Sequence, residues 1–300
     1  MWPSTVSPMR PIAAGLAALT LLALAGCTGQ EPGASSPTTD ASAAPAASAP
    51  APTADPFDLI GLWRVTEADG EAAETWLRVE VGQFQLWREC GMLMGEWTAL
   101  PGRLAASISG ASGECAEMGT IPEVPWLAST VAFEQADDGW LLRDGAGSVT
   151  AALTVDGAPE PIPTADEMFT RPPEVDPALR ASFAPPVELP ASLTPETTEQ
   201  LVARWIPLGF EGASGGIQPF VEFDASGGWT GSDGCNGAMG RWLLGAEGLF
   251  AATAGPTTLI GCDGANVPGW TAAARLAAFD GAELVLLDAE GTELGRFTQD

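Results

Sequence analysis

Two stretches of this chain carry the same landmarks in the same order. In Cys90-Gly91-Met92-Leu93-Met94-Gly95-Glu96-Trp97 and in Cys235-Asn236-Gly237-Ala238-Met239-Gly240-Arg241-Trp242, Trp falls seven residues after Cys. Other landmarks recur around them. Trp63 answers to Trp205, and the strand ending at Val81 to Phe220–Phe223. Cys115 answers to Cys262, Val124-Pro125-Trp126 to Val267-Pro268-Gly269-Trp270, and Phe133 to Phe279. Internal similarity at a spacing of about 140 residues implies two copies of one domain rather than a solenoid. A chain of 300 residues has room for two.

Short apolar runs separated by turn residues fill both copies. Trp76-Leu77-Arg78-Val79-Glu80-Val81 alternates with period two, as a half-buried strand should. Further strands are expected at 83–88, 95–100, 104–109, 130–134, 140–143 and 148–153, with Asp144-Gly145 as a hairpin turn. In the second copy strands are expected at 205–208, 220–223, 228–231, 240–244, 249–254 and 257–261, and a hairpin closes the chain around Ala289-Glu290-Gly291. Thr194 as N-cap, with Pro195 at the first helical position, predicts a short helix ending near Ala203. The Ala-rich stretch 268–275 predicts another, with Ala272, Leu276 and Phe279 on one face. Residues 156–194 are Pro-rich and read as a semi-extended linker, with room for Met168-Phe169 to pack on a domain. The expected organisation is a signal peptide at 1–26, an Ala/Pro/Ser/Thr tether at 27–55, a divergent copy at 56–155, the linker at 156–194, and the better-kept copy at 195–300.

The residues that are missing restrict the chemistry. His, Lys and Tyr are absent, and all 12 basic side chains are Arg. Without them there is no imidazole base, no Ser-His, Cys-His or Ser-Lys nucleophile, and no imidazole metal ligand. The formal net charge of −27 excludes nucleic acid and electrostatic binding to anionic lipid.

The second copy resembles the META/HslJ-like domain family. The resemblance rests on Gly234-Cys235-Asn236, on Gly240-Arg241-Trp242, on Thr257-Thr258-Leu259-Ile260-Gly261-Cys262, and on the helix followed by Leu284-Val285-Leu286-Leu287-Asp288. It covers residues 196–300. The first copy departs from it, with Gly91 in place of the Asn. The resemblance implies a mainly β protein, with two tandem, small, antiparallel β-barrel-like domains that each carry a short helix. It implies a bacterial envelope setting and carries over no catalytic residue.

Four Cys remain besides Cys27, and three pairings are open to them. The repeat favours Cys90–Cys115 and Cys235–Cys262, since each copy then holds the same bridge. In the chain-entropy picture each contributes about 3 kcal/mol. A zinc site is the alternative, but close Cys pairs are missing. Asp233, Asn236 and Asp263 form a candidate interaction turn. They could instead hold a cation, or serve only as turn formers. Trp87, Trp140 and Trp229 lack clear counterparts and are candidates for stacking on sugar rings. Carboxylate pairs are the remaining catalytic route, Glu222 with Asp224 and Glu283 with Asp288. No cofactor and no metal is expected.

At the N-terminus, one Arg precedes an apolar run of about twelve residues, too short to span a bilayer. It ends in Leu24-Ala25-Gly26-Cys27, which resembles the lipobox of bacterial lipoproteins. That resemblance implies cleavage before Cys27, lipid on its thiol, and a stable anchor on the extracytoplasmic face of the cell membrane. The expected function is then a non-catalytic envelope lipoprotein that contacts another envelope protein or a wall component, mainly through the second copy. Alternatives are capture of a sugar, peptide or cation in a barrel mouth, or a carboxylate-based hydrolase. Mass spectrometry of the mature protein is expected to find acyl chains on Cys27. An N-terminus elsewhere, or a Cys27→Ser variant that stays in the membrane, would contradict this.

Overall fold

The computed structural model describes residues 54–300 apart from 118, 164, 211–215, 259 and 262. The signal peptide, Cys27 and most of the tether lie outside these. The protein is mainly β, with two antiparallel β-barrel-like sheets and a few short helices. The first copy runs through β1 (Gly61–Thr66), β2 (Trp76–Glu80), β3 (Gln83–Arg88), β4 (Gly91–Leu100) and β5 (Arg103–Gly113). Two short helices follow, α1 (Glu114–Glu117) and α2 (Pro125–Ser129). Then come β6 (Ala132–Ala136), β7 (Gly139–Arg143) and β8 (Val149–Thr154). These strands pair in chain order, and β8 returns to β1 to close the barrel.

The segment between the copies carries α3 (Pro177–Ala181). The second copy has β9 (Thr194–Pro195), α4 (Thr198–Leu201), β10 (Arg204–Pro207), β11 (Phe220–Phe223), β12 (Gly228–Ser232), β13 (Gly237–Leu244) and β14 (Phe250–Ala252). It continues through α5 (Val267–Ala273), β15 (Leu276–Asp280), β16 (Glu283–Leu287) and β17 (Glu293–Gln299). From β10 onward its pairings repeat those of the first barrel. β10 pairs with both β11 and β17, as β1 does with β2 and β8. The seam between β5 and β6 is a single pair, Arg103 with Ala132, and its counterpart is a lone bridge between Leu249 and Leu276.

The repeated residues have the same physical jobs in both copies. Trp63 donates its indole N–H to the carbonyl of Leu59, four residues back, and Trp205 does the same to Leu201 (2.8 and 2.9 Å). Each accepting carbonyl belongs to the short helical turn that leads into the first strand. Trp97 and Trp242 donate to Glu80 and Gly228, both beside the turn that precedes the third strand. Gly95 and Gly240 each stand two residues before those Trp. A Cβ at Gly95 would strike the Ser107 carbonyl and the Phe84 ring, and one at Gly240 the Thr253 carbonyl and the Trp229 indole. The strands cross too closely there for any side chain.

Several sequence expectations need correction. The helix expected from Thr194 starts later: Thr194–Pro195 is an edge strand on β15, where Pro is tolerated. Thr197 is the N-cap, and Thr197 and Gln200 form a capping box. The Ala-rich helix stops at Ala273, and Leu276 and Phe279 are strand residues, so tertiary pairing overrides helix propensity there. The register makes Ala277, not Phe279, the counterpart of Phe133: Phe133 faces Leu142 as Ala277 faces Leu286. Thr257 and Thr258 are not in a strand.

The segment 156–194 is packed rather than free. Its first part straps the outside of the first barrel, where Ile162, Ala165 and Phe169 cover Leu62, Trp76, Trp87 and Met92. Phe183 lies against Phe57 and Trp97, with ring centroids 5.6 and 6.4 Å away. Its last part belongs to the second barrel: Val187 donates to the Ala289 carbonyl, and Leu189 and Leu193 pack on Leu276, Val285 and Leu287. The strap explains why β2 is buried on both faces, Leu77 and Val79 inward and Trp76 and Arg78 outward. The barrels touch through Leu100 and Ala105 on one side and Leu243 and Ala251 on the other. Arg103 reaches across that contact to the Leu244 carbonyl, and the described residues belong to one compact unit.

Candidate functional site

Asp233 and Asn236 sit in the turn between β12 and β13. One Asp233 oxygen accepts the backbone N–H groups of Cys235 and Asn236 at 2.7 and 2.6 Å. Burial works to raise the Asp233 pKa, but the Asn236 and Cys235 donors outweigh it and hold the carboxyl below its usual value. Asn236 is 8% exposed. Its amide nitrogen donates to Asp233 and to the Ile260 carbonyl, both at 2.8 Å. Its amide oxygen accepts from the Thr258 hydroxyl and the Ile260 N–H, both at 2.7 Å. Two donors and two acceptors saturate an Asn side chain. The side chain therefore clamps Thr258 and Ile260 onto the turn and has no capacity left for a partner. Asp263 is exposed and hydrogen-bonds to neither residue.

Cys90 and Cys115 are joined, with Cα atoms 4.8 Å apart. The bridge pins the β3–β4 turn to α1. Cys235 is disulfide-bonded, and Cys262 lies outside the described residues. Among the described residues no group of three or more Cys, Asp or Glu is placed to hold a metal ion.

The carboxylates weighed as catalytic pairs serve structure. Asp224 accepts from the Ser226 hydroxyl and from the Ser226 and Gly228 N–H groups. The Ser226 hydroxyl leads the causes that keep its pKa low. Asp288 accepts from Glu290 and Thr292, and Asp144 accepts from Ala146 and Ser148 in the same way. In each turn a Gly three residues after the Asp holds positive φ: Gly147, Gly227 and Gly291 (83°, 81° and 80°). This Asp-x-x-Gly signal is visible in the sequence, and it places the hairpin glycine at Gly147 rather than Gly145. Glu222 pairs with Arg204, and Glu283 with Arg296.

Both barrel interiors are filled by their own side chains. The first holds a cavity of about 20 Å³ among Leu77, Phe84, Trp97, Leu104, Leu142 and Leu153, about the size that admits one water and no ligand. Trp205, Phe223, Trp229, Phe250 and Phe297 occupy the second. Trp87, Trp140 and Trp229 are all buried, so none offers a ring to a sugar.

An open concavity lies outside the first barrel, where the strap crosses β2 and β3. It measures about 550 Å³, within the range of small-ligand sites. Arg78, Glu80 and Gln83 supply polar groups from the barrel, and Arg171 and Glu174 from the strap. Ile60, Val81, Met168, Pro172 and Leu179 add apolar surface. Arg78 is 4% exposed and heavily committed: Nε donates to the Arg171 carbonyl, and Nη1 reaches Gln85 and Glu80 at 2.9 Å. Its guanidinium lies 5.5 Å over the Phe169 ring. The sequence alone gave Arg78 the solvent face of a half-buried strand; the strap makes it a buried charge. No protein-family model, curated protein or solved structure matches the chain.

Glu196 is the other polar group that sequence reasoning missed. It follows β9 directly, is 7% exposed, and neither carboxylate oxygen has a hydrogen-bond partner among the described residues. Burial pushes its pKa up to about 8, from 4.5 for the free side chain. The folded state thus keeps a proton that the unfolded state releases above pH 4.5. Stability from this group is complete below pH 4.5 and is lost as pH rises toward 8. Glu196→Gln is expected to stabilise the protein at pH 8 and above, by up to roughly 4 kcal/mol. Melting temperatures from pH 4 to 9 should fall less steeply for the variant; parallel curves would contradict this.

Proposed function

We propose that the protein is a non-catalytic cell-envelope lipoprotein built from two META/HslJ-like modules. It is anchored through acylated Cys27 on the extracytoplasmic face of the cell membrane. It acts by surface contact with an envelope protein or a wall component. The observation that carries this reading is the contrast between full interiors and an open outer cleft. The Asn236 turn is saturated internally, whereas the cleft over β2 and β3 presents charged and apolar groups to solvent. The contact surface is accordingly assigned to the first barrel and its strap. No catalytic step enters the reading: the chain lacks His, Lys and Tyr, and Asp224 and Asp288 are occupied by turn amides.

A photo-reactive residue can be placed at Met168, on the cleft, or at Met239, beside the Asn236 turn; both side chains are exposed. In cells carrying the anchored protein, irradiation is expected to give adducts with an envelope protein or wall fragments from position 168 and none from 239. Adducts from 239 alone would return the contact to the second barrel, and none from either would contradict surface contact.

A further inference from the structure

We infer that the outer cleft is a binding site for a short peptide ending in a free carboxylate. The inference rests on the surface-contact reading and names the ligand of that surface. Arg78 lines the cleft with its guanidinium fixed on three sides, by the Arg171 carbonyl, by Gln85 with Glu80, and by the Phe169 ring. Among the described residues its Nη2 makes no hydrogen bond. A buried, immobilised guanidinium with one free N–H edge is a preorganised donor to a carboxylate oxygen.

A second cation stands beside it. Arg171 pairs with Glu167 one helical turn back, at 2.7 Å, but both side chains are more than two-thirds exposed. Such an exposed pair is weak, so the Arg171 side chain is free to turn onto a ligand.

The charge balance selects the class of anion. Glu80 and Glu174 line the same cleft, and a dianionic phosphate would meet two carboxylates with no donor to offer them. A peptide terminus brings one negative charge and, behind it, backbone N–H groups for Glu174 and Gln83. Small alkyl side chains would lie against Ile60, Val81, Met168 and Leu179. A long acyl chain fits worse, because five of the lining side chains are polar or charged. Protein C-termini and the stem peptides of cell wall share this chemistry and differ in the hand of their residues.

The test is calorimetric titration of the full-length chain in detergent with N-acetyl-Ala-Ala, as the L,L and the D,D compound, each as free acid and as C-terminal amide. The free acid of one or both is expected to bind with Kd between about 10 μM and 1 mM. Amidation should weaken binding about tenfold or more. Arg171→Gln, at an exposed position, should weaken it several-fold without lowering the melting temperature. Arg78→Lys should abolish it, with circular dichroism to check the fold. A preference for D,D assigns the ligand to wall stem peptides and one for L,L to protein C-termini, and either supports the site. Equal binding of acid and amide, no binding at 10 mM ligand, or an unchanged Kd in Arg171→Gln would overturn it. If that happens while adducts from position 168 persist, only the ligand class fails; if both vanish, the surface reading fails with it.

Discussion

Each barrel depends on one indole in its first strand. Trp63 and Trp205 are buried, and each donates to the carbonyl four residues before it. That bond does two things at once. It satisfies a donor that would otherwise be orphaned in an apolar interior, and it ties the short helical turn to the first strand. Leu59 and Leu201, which supply the carbonyls, are themselves buried in the two cores. Phe84, Trp97, Phe133 and Trp140 pack with Leu59 in the first core, and Phe223, Trp229, Trp242, Phe250 and Phe297 with Leu201 in the second.

A filled interior moves the available chemistry outward. Much of the polar chemistry of the second copy holds the chain in shape: Asn236 clamps a loop, and Asp224 and Asp288 hold hairpins. The first copy differs because the strap is laid across its outer face. The strap turns a solvent-facing strand surface into a second packed layer, buries Arg78, and leaves an open edge where layer and barrel part. Among the described residues the strap, which has no part in the second barrel's outer face, is what sets the first copy apart.

Much of the fold was legible in the sequence because strands announce themselves by period and by turn residues. The spacing of Cys, Trp and Gly shows the repeat directly, since each residue meets a local demand: a bridge, an indole bond, a crossing too close for a Cβ. Where reading failed, a distant part of the chain decided. The strand at Leu276–Asp280 looks helical until β16 and β9 pair with it. Arg78 looks solvated until Phe169 and Arg171 cover it. Glu196 looks like an ordinary first-turn acid until the fold buries its carboxylate. Periodicity reports which face of an element is apolar, but it does not report what later lands on the other face.

The central claim is that the Asn236 turn is architecture and the outer cleft is the contact surface. The most direct measurement is the melting temperature of Asn236→Ala together with its adducts from position 168. Removing an amide that makes four internal hydrogen bonds should cost about 2–4 kcal/mol. The melting temperature is predicted to fall clearly, while adducts from 168 persist below the transition. An unchanged melting temperature with loss of partner adducts would contradict the account and make the turn the recognition site.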